Sequence, residues 1–296
     1  MLSLKSKAVT TISIIIPARN EARNLPALLQ TLRNIYSDAE ILVIDDGSTD
    51  DTAKVAERFG ATVVSHPYCM GNGAAIKTGA RHAQGDVLVF MDGDGQHDPQ
   101  DIPALLTKIE AGYDMAVGAR HPSSQASFLR WAANGFYNGL ASLMTGYRIE
   151  DLTSGFRAAR ARQFRKFLYL LPNGFSYPTT STMAFFRSGY PVAYVPIHAG
   201  KRQGKSHIRL LHDGMRFFII ILRIGALFSP MRLFLPTSLF IFLLGIGYYI
   251  YTYLEWGRFT NMSALLILSG LIIFLIGIVS EQISSLHYKH SDNDWF

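Results

Sequence analysis

The sequence predicts an α/β protein: a mostly parallel sheet, followed by an amphipathic interfacial helix and a two-helix transmembrane hairpin. Three observations predict it. Short apolar runs alternate with helical patterns from Thr11 to Gly118, the rhythm of strands and crossover helices. Two uncharged apolar runs, Leu233 to Leu254 and Met262 to Ser280, lie near the end of the chain; at helical rise each is about 30 Å long, enough to cross a bilayer core. Between these regions stands a basic stretch, residues 157–232, with 13 Lys and Arg against one acid, Asp213.

Taken in order, Thr11 to Ile16 is β-rich and ends at Pro17, and reads as the first strand. A helical pattern runs from Ala22 to Ile35. Glu40 to Asp45 is the second strand, and Ser48, Thr49 or Asp50 is placed to cap the helix after it. Ala61 to Val64 is a short third strand, and Gly71-Asn72-Gly73 opens a helix near Ala74 to Ala83. Asp86 to Met91 is the fourth strand, Pro99 to Pro103 opens a helix, and Asp114 to Gly118 is the fifth strand. A helix-prone stretch follows, with Arg130 near its start and Met144 near its end.

Ile208 to Phe228 reads as a basic amphipathic helix, with Arg209, His212, Arg216 and Arg223 at helical spacing, of the kind that lies in a membrane interface. Pro230 ends it. The two apolar runs are joined by only seven residues, Glu255 to Asn261, so they form a hairpin. Tyr248, Tyr249, Tyr251, Tyr253 and Trp256 gather at one end as an interfacial belt does. The domain boundaries expected are 1–206 for the catalytic domain, 207–230 for the juxtamembrane helix and 231–296 for the hairpin with its tail. The basic block abuts the first span, and the positive-inside tendency then puts the large domain and both termini on the cytoplasmic side. Such a block suits anionic lipid head groups rather than nucleic acid, because it leads straight into an anchor. The apolar stretch Ile12 to Ile16 is too short for a signal peptide, and Cys69, the single cysteine, rules out an intrachain disulfide.

The chemistry gathers at strand ends. Asp92, Asp94 and Gln96 stand at alternate positions just past the fourth strand, where ligands bind in open α/β sheets. Oxygen donors grouped this way suit Mg²⁺ or Mn²⁺, which take one or two carboxylates together with substrate phosphates. Asp and Gly are also ordinary turn residues, so the motif gains weight only from its neighbours. Arg19 and Glu21 follow the first strand, and Asp45 and Asp46 the second. Right-handed crossovers bring these loops to one edge of the sheet, where together they resemble a nucleotide site.

The set Pro17-Ala18-Arg19-Asn20-Glu21, Asp45-Asp46-Gly47-Ser48-Thr49-Asp50, Gly71-Asn72-Gly73 and Asp92-Gly93-Asp94-Gly95-Gln96 resembles glycosyltransferase family 2, with its GT-A fold. More narrowly the chain, over roughly residues 10 to 285, is similar to the polyprenyl-phosphate glycosyltransferases, the group of dolichol-phosphate mannose synthase. The resemblance implies that Pro17, Glu21, Asp46 and Ser48 surround the nucleobase and ribose. It implies that Asp92, Asp94 and Gln96 hold a metal at the donor diphosphate. The lysine that the family often carries between the glycines of its third motif is absent here, and the nearest base is Lys77. Arg120 and Arg130 match two arginines that grip the lipid phosphate, a task suited to a planar fork of donors. Asp151-Leu152-Thr153-Ser154-Gly155-Phe156 matches a loop that closes the site. Arg202 and Ser206 match a loop over the donor diphosphate, where His207 replaces the usual base after the serine.

The activity implied is transfer of a sugar, with inversion, from a UDP- or GDP-linked donor to undecaprenyl or dolichyl phosphate. An anionic phosphate needs no base to attack, so the protein's task is to stabilise the departing diphosphate and to position the acceptor. Relatives of this kind can assemble as tetramers. A processive polysaccharide synthase would carry Gln-x-x-Arg-Trp, whereas here Gln125 stands at the wrong spacing from Arg130-Trp131. A non-catalytic sugar-nucleotide binder would not need Asp92, Asp94, Arg120 and Arg202 together.

Overall fold

The computed structural model describes residues 10–120, 128–174, 176–197, 218–223, 225–227 and 229–293; for 128–134 and 285–293 it describes the backbone path. Contacts divide the chain into two units, residues 1–138 with 149–214, and residues 139–148 with 215–296.

The first unit is built on a sheet of seven strands among the described residues: β1 (Ile12–Ala18), β2 (Glu40–Asp45), β3 (Thr62–Ser65), β4 (Val87–Phe90), β5 (Met115–Arg120), β6 (Arg157–Arg160) and β7 (Val192–Ile197). Their order is β3-β2-β1-β4-β6-β5-β7. Every pair is parallel except those of β6, which runs against both β4 and β5. Ile14 to Ile16, Ile41 to Ile44 and Val87 to Phe90 are buried throughout. Strands covered on both faces carry unbroken apolar runs instead of alternation, which is why these three are plain in the sequence.

The helices are α1 (Leu25–Ile35), α2 (Thr52–Arg58), α3 (Asn72–His82), α4 (Ile102–Glu110), α5 (Phe128–Thr145), α6 (Ala161–Arg165) and α7 (Tyr177–Arg187), with a 3₁₀ turn at Pro99–Asp101. α1 buries Leu25, Leu28, Leu29 and Leu32, one stripe at helical spacing. It starts later than the Ala22 expected, because Asn24 N and Leu25 N both turn back to the Glu21 carbonyl and Pro26 then enters the first turn, where a missing N–H costs nothing. The N-cap of α2 is Asp51, not Ser48, Thr49 or Asp50, and its side chain makes no cap bond; Asp50, one residue earlier, accepts from the Thr52 amide through Oδ1 at 3.0 Å.

The sequence reading ends the sheet at the fifth strand; the structure adds β6, β7, α6 and α7. β6 reads Arg-Ala-Ala-Arg, with no β-branched residue, and β7 carries Pro196. Proline is tolerated there because β7 pairs with β5 alone and lies at the sheet's edge. Of the expected helix over 208–228, residues 218–223 and 225–227 are helical, and the remainder lies outside the described residues.

The second unit contains α8 (Pro230–Trp256) and α9 (Asn261–Asn293), packed as a hairpin. Both are long and apolar enough to cross a membrane, and only 11% and 17% of their apolar windows are buried inside the protein. A soluble core hairpin would be mostly buried, so these faces need another apolar medium. The helices approach closely at glycines: a Cβ on Gly245 would stand 2.9 Å from Ile267, and one on Gly270 would stand 2.9 Å from Phe242. Arg232, at the foot of α8, donates to the carbonyls of Leu143 and Met144 at 3.1 and 3.3 Å, satisfying the end of α5.

Candidate active site at the carboxyl edge of the sheet

The antiparallel β6 decides what meets at this edge. Phe90 pairs with Arg157, and Val117 pairs with Arg157 from the other side. The residues that leave β4 and β5 forward, and those that enter β6, therefore emerge at one place. Asp92, Arg120 and the Asp151–Gly155 loop meet there.

Two loops form the β1–β2 side. The backbone amide of Asn20, which has φ +56°, donates to Ser48 Oγ at 2.9 Å, and the Thr49 amide donates to Asn20 Oδ1 at 2.8 Å. The Glu21 amide donates to Thr52 Oγ1 at 2.9 Å, and Glu21 Oε2 accepts from Asn24 at 2.6 Å. Pro17 ends the apolar run of β1 beside Ile44 of β2. Pro17 thus lies near the end of β1, and Glu21 and Ser48 on the two laced loops that follow β1 and β2.

Asp46 is differently engaged. Its buried carboxylate accepts from His66 Nδ1 (2.8 Å), Met70 N (2.7 Å), Gly71 N (2.8 Å) and Cys69 Sγ (3.3 Å). Burial pushes this carboxyl up, but the bonds from His66, Met70, Gly71 and Cys69 outweigh it and hold the pKa below the ordinary range. Asp46 accordingly shapes the loop from His66 to Gly71. That loop is also locked from behind: Gly73 N and Ala74 N donate to the carbonyls of Gly174 and Asn173 at 3.1 and 2.9 Å, and Lys77 Nζ reaches the Leu171 carbonyl at 3.1 Å.

On the β4 side, Asp92, Asp94 and Gln96 are all half-buried. Asp94 Oδ1 accepts from the Gln96 amide at 3.2 Å, and the Asp92 amide donates to His97 Nδ1 at 3.3 Å. A Cβ placed on Gly155 would stand 3.0 Å from Asp92 Oδ2, so that glycine keeps room open beside the carboxylate. Among the described residues no three His, Cys, Asp or Glu side chains form a metal cluster. Two carboxylates and an amide that leave the rest of a coordination shell to phosphate and water still fit a hard divalent cation.

Arg120 forks onto Asp151: Nε donates to Oδ2 at 2.8 Å and Nη2 to Oδ1 at 3.0 Å, and Nη2 also donates to Thr153 Oγ1. Burial would raise the Asp151 carboxyl; Arg120 and the amides of Thr153 and Arg120 bring its pKa below the ordinary range. Behind the loop, Arg157 is wholly buried among neutral oxygens, donating to Pro178 O (3.1 Å), Ser181 Oγ (2.7 Å), Thr182 Oγ1 (3.2 Å) and the Ser154 carbonyl. Burial drags its pKa down, against the pull of Tyr177, Tyr194, Asp151 and Asp92. The Tyr177 hydroxyl donates to the Gly155 carbonyl at 2.9 Å.

Arg130 lies in the first turn of α5, where the backbone alone is described. Arg202 and Ser206 lie outside the described residues. β7 ends at Ile197, in register with Arg120 of β5. Sequence reasoning assigned no task to Asp151, His97, Arg157, Tyr177 or His66. Only Asp151 carried a signal, as the head of its loop motif.

Comparison with known proteins bears on the family and the fold. The model of glycosyl transferase family 2 matches residues 13–169, and that of the GtrB C-terminal hairpin matches residues 229–286. CsbB of Bacillus subtilis is 30% identical over 94% of this chain and 88% of its own length. The undecaprenyl-phosphate 4-deoxy-4-formamido-L-arabinose transferase of Proteus mirabilis is 32% identical over 51% of this chain and 49% of its own. Glucosyl-3-phosphoglycerate synthase from Mycobacterium tuberculosis, crystallised with Mn²⁺, UDP and glucosyl-3-phosphoglycerate, matches with a TM-score of 0.61 at 22% identity, over 74% of this chain and 81% of that one. The mixed, mostly parallel sheet and this likeness bear out the GT-A expectation. With the family match spanning residues 13–169 of 296, the chain belongs to glycosyl transferase family 2.

Proposed function

We propose that this protein is a membrane-anchored, inverting glycosyltransferase that moves a sugar from a nucleotide-sugar donor to a polyprenyl phosphate. The observation that carries the reading is the convergence at β4, β6 and β5. The carboxylate of Asp92 stands beside Gly155, and the Arg120–Asp151 pair faces the same edge. The match to a GtrB C-terminal hairpin supports the anchor, and a relative named as an undecaprenyl-phosphate transferase supports the lipid acceptor.

In this reading the donor lies over the β1–β2 loops, with Pro17, Glu21 and Ser48 at the nucleoside. Asp46 contributes by holding the loop from His66 to Gly71, since its own oxygens are already engaged. Asp92, Asp94 and Gln96 would hold Mg²⁺ or Mn²⁺ at the diphosphate; such an ion neutralises charge on the leaving group. The fold neighbour crystallised with Mn²⁺ and UDP supports a divalent ion and a UDP-linked donor. Arg202 and Ser206 close over the diphosphate, and Arg120 and Arg130 orient the lipid phosphate. Nε and Nη2 of Arg120 serve Asp151 and Thr153, so phosphate meets this guanidinium through Nη1. One phosphate oxygen attacks the anomeric carbon as its bond to the diphosphate breaks, and the configuration inverts.

Residues 1–206 form the catalytic domain, 207–230 the juxtamembrane helix and 231–296 the hairpin, with the catalytic domain and both termini cytoplasmic and the chains assembled as a homo-oligomer. The test is purified full-length protein in detergent, a short polyprenyl phosphate and a panel of radiolabelled nucleotide sugars. The expected product extracts into organic solvent, and Asp94→Ala lowers its formation by about 100-fold or more while the protein stays folded. A product that stays aqueous would overturn the lipid acceptor; unchanged turnover in Asp94→Ala would overturn the task given to Asp94.

A further inference from the structure

His97 follows the Asp92–Gln96 turn and has no part in the reading above. The ladder of β4 explains why a side chain is needed at this point. Met91 N still donates to Ile15 O at 3.1 Å, as the last rung between β4 and β1. The next amide, Asp92 N, has left the sheet, and a half-buried amide must find an acceptor elsewhere. His97 Nδ1 provides it at 3.3 Å. The same nitrogen is 3.9 Å from Asp92 Oδ2, beyond hydrogen-bond range, so Nδ1 faces the amide as an acceptor and the ring proton sits on Nε2. The ring itself is fixed. Its side chain is 5% exposed, and it stacks on Phe156 with centroids 5.0 Å apart and planes at 20°. Phe156 is wholly buried and directly follows Gly155, the residue that flanks the Asp92 carboxylate.

We propose that His97 is a positioning residue for Asp92: through Nδ1 it fixes the backbone from which the carboxylate projects. The inference rests on the reading of Asp92 as a donor-side, cation-binding carboxylate. It differs from a packing role in a way that substitution can separate. Asparagine carries an acceptor where Nδ1 stands but no ring; phenylalanine carries the ring but no acceptor.

The experiment uses the full chain in detergent and compares wild type with His97→Asn, His97→Phe and His97→Ala. Mn²⁺ binding is followed by the loss of free-ion electron paramagnetic resonance signal, with Mn²⁺ alone and with Mn²⁺ and UDP. His97→Phe and His97→Ala should weaken Mn²⁺ by about 10- to 100-fold, the range for residues that orient a ligand from behind, while His97→Asn should stay within about threefold of wild type. ¹⁵N spectra of histidine-labelled, metal-free protein, with His97 assigned by its loss in His97→Asn, should show Nδ1 unprotonated and Nε2 protonated. Wild-type affinity in His97→Phe, or no gain of His97→Asn over His97→Phe, overturns the proposal, as does a proton on Nδ1. If wild type itself binds no Mn²⁺, the reading of Asp92 and Asp94 fails, and the proposal fails with it; the ¹⁵N result then still reports separately on the amide bond.

Discussion

Arg120 and Asp151 form the most consequential pair of side chains in the molecule. Asp151 is buried and accepts twice from the Arg120 guanidinium and once from its amide, while the backbone amides of Thr153 and Ser154 donate to it at 3.0 and 3.1 Å. Removing Arg120 strands a buried carboxylate. Arg120→Met should therefore cost about 3 kcal/mol or more, seen as a lower denaturant midpoint for the detergent-solubilised protein. The pair also sets an acid limit. The folded pKa of Asp151 lies below the ordinary value, so the unfolded chain binds more protons as pH falls. Its stabilising contribution is complete above the ordinary carboxylate pKa, about 4, and is lost as pH drops from there through the depressed folded value. Unfolding midpoints measured from pH 6 downward should fall more steeply for wild type than for Asp151→Asn; parallel curves would refute this. At this scale the sequence was a good guide to position and a poor one to engagement. Arg120 ends β5 and Asp46 directly follows β2, at the strand ends the apolar runs mark, yet Arg120 is forked onto Asp151 and Asp46 is enclosed by four donors, because partners distant in sequence cannot be read from spacing.

Among the elements, the loop that opens α3 shows how the site is braced. A Cβ on Gly73 would stand 2.0 Å from the Pro172 carbonyl oxygen, and one on Gly71, at φ +102°, would meet Asn173 O at 2.5 Å. Gly73→Ala must push the loop off residues 172–174. We expect a loss of about 1–3 kcal/mol together with a raised KM for the nucleotide sugar, measured on the same preparation; an unaltered KM would mean that the loop does not border the donor. The five parallel strands found in the sequence are the ones whose burial makes them apolar without interruption or that end at a polar turn. β6 was invisible because four residues flanked by arginine offer no period. Its place is set by pairing on both sides and by the buried oxygens that receive Arg157. α7 was hidden by Thr179, Thr180, Ser181 and Thr182, polar residues that are buried here and that sequence patterning assigns to a loop. The hairpin's two apolar runs and its turn were legible, since runs of that length admit few other structures, but the second helix continues past Ser280 to Asn293, through polar residues that carry no apolar signal.

For the whole molecule, the distribution of charge is the main clue to orientation. The basic block of residues 157–232 precedes the first span, and Cys69, exposed and the only cysteine, offers a native reporter of the side on which the catalytic unit stands. A membrane-impermeant maleimide should leave Cys69 unlabelled in intact cells and label it in inverted vesicles; labelling of intact cells would place the domain outside. The reaction should be slow at neutral pH and speed up as pH rises, because burial and the neighbouring Asp46 carboxylate both push the thiol pKa up. The reversed strand β6 also bears on how the protein is made. β3, β2, β1 and β4 all come from residues 12–90 and are contiguous in the sheet, so they can associate as they leave the ribosome. β5 emerges next, but its partners are β6 and β7, which are synthesised only after α5. An apolar strand with neither edge satisfied must therefore be carried through that interval, which marks the Met115–Arg120 segment as the part of the nascent chain most exposed to mispairing and most in need of a chaperone.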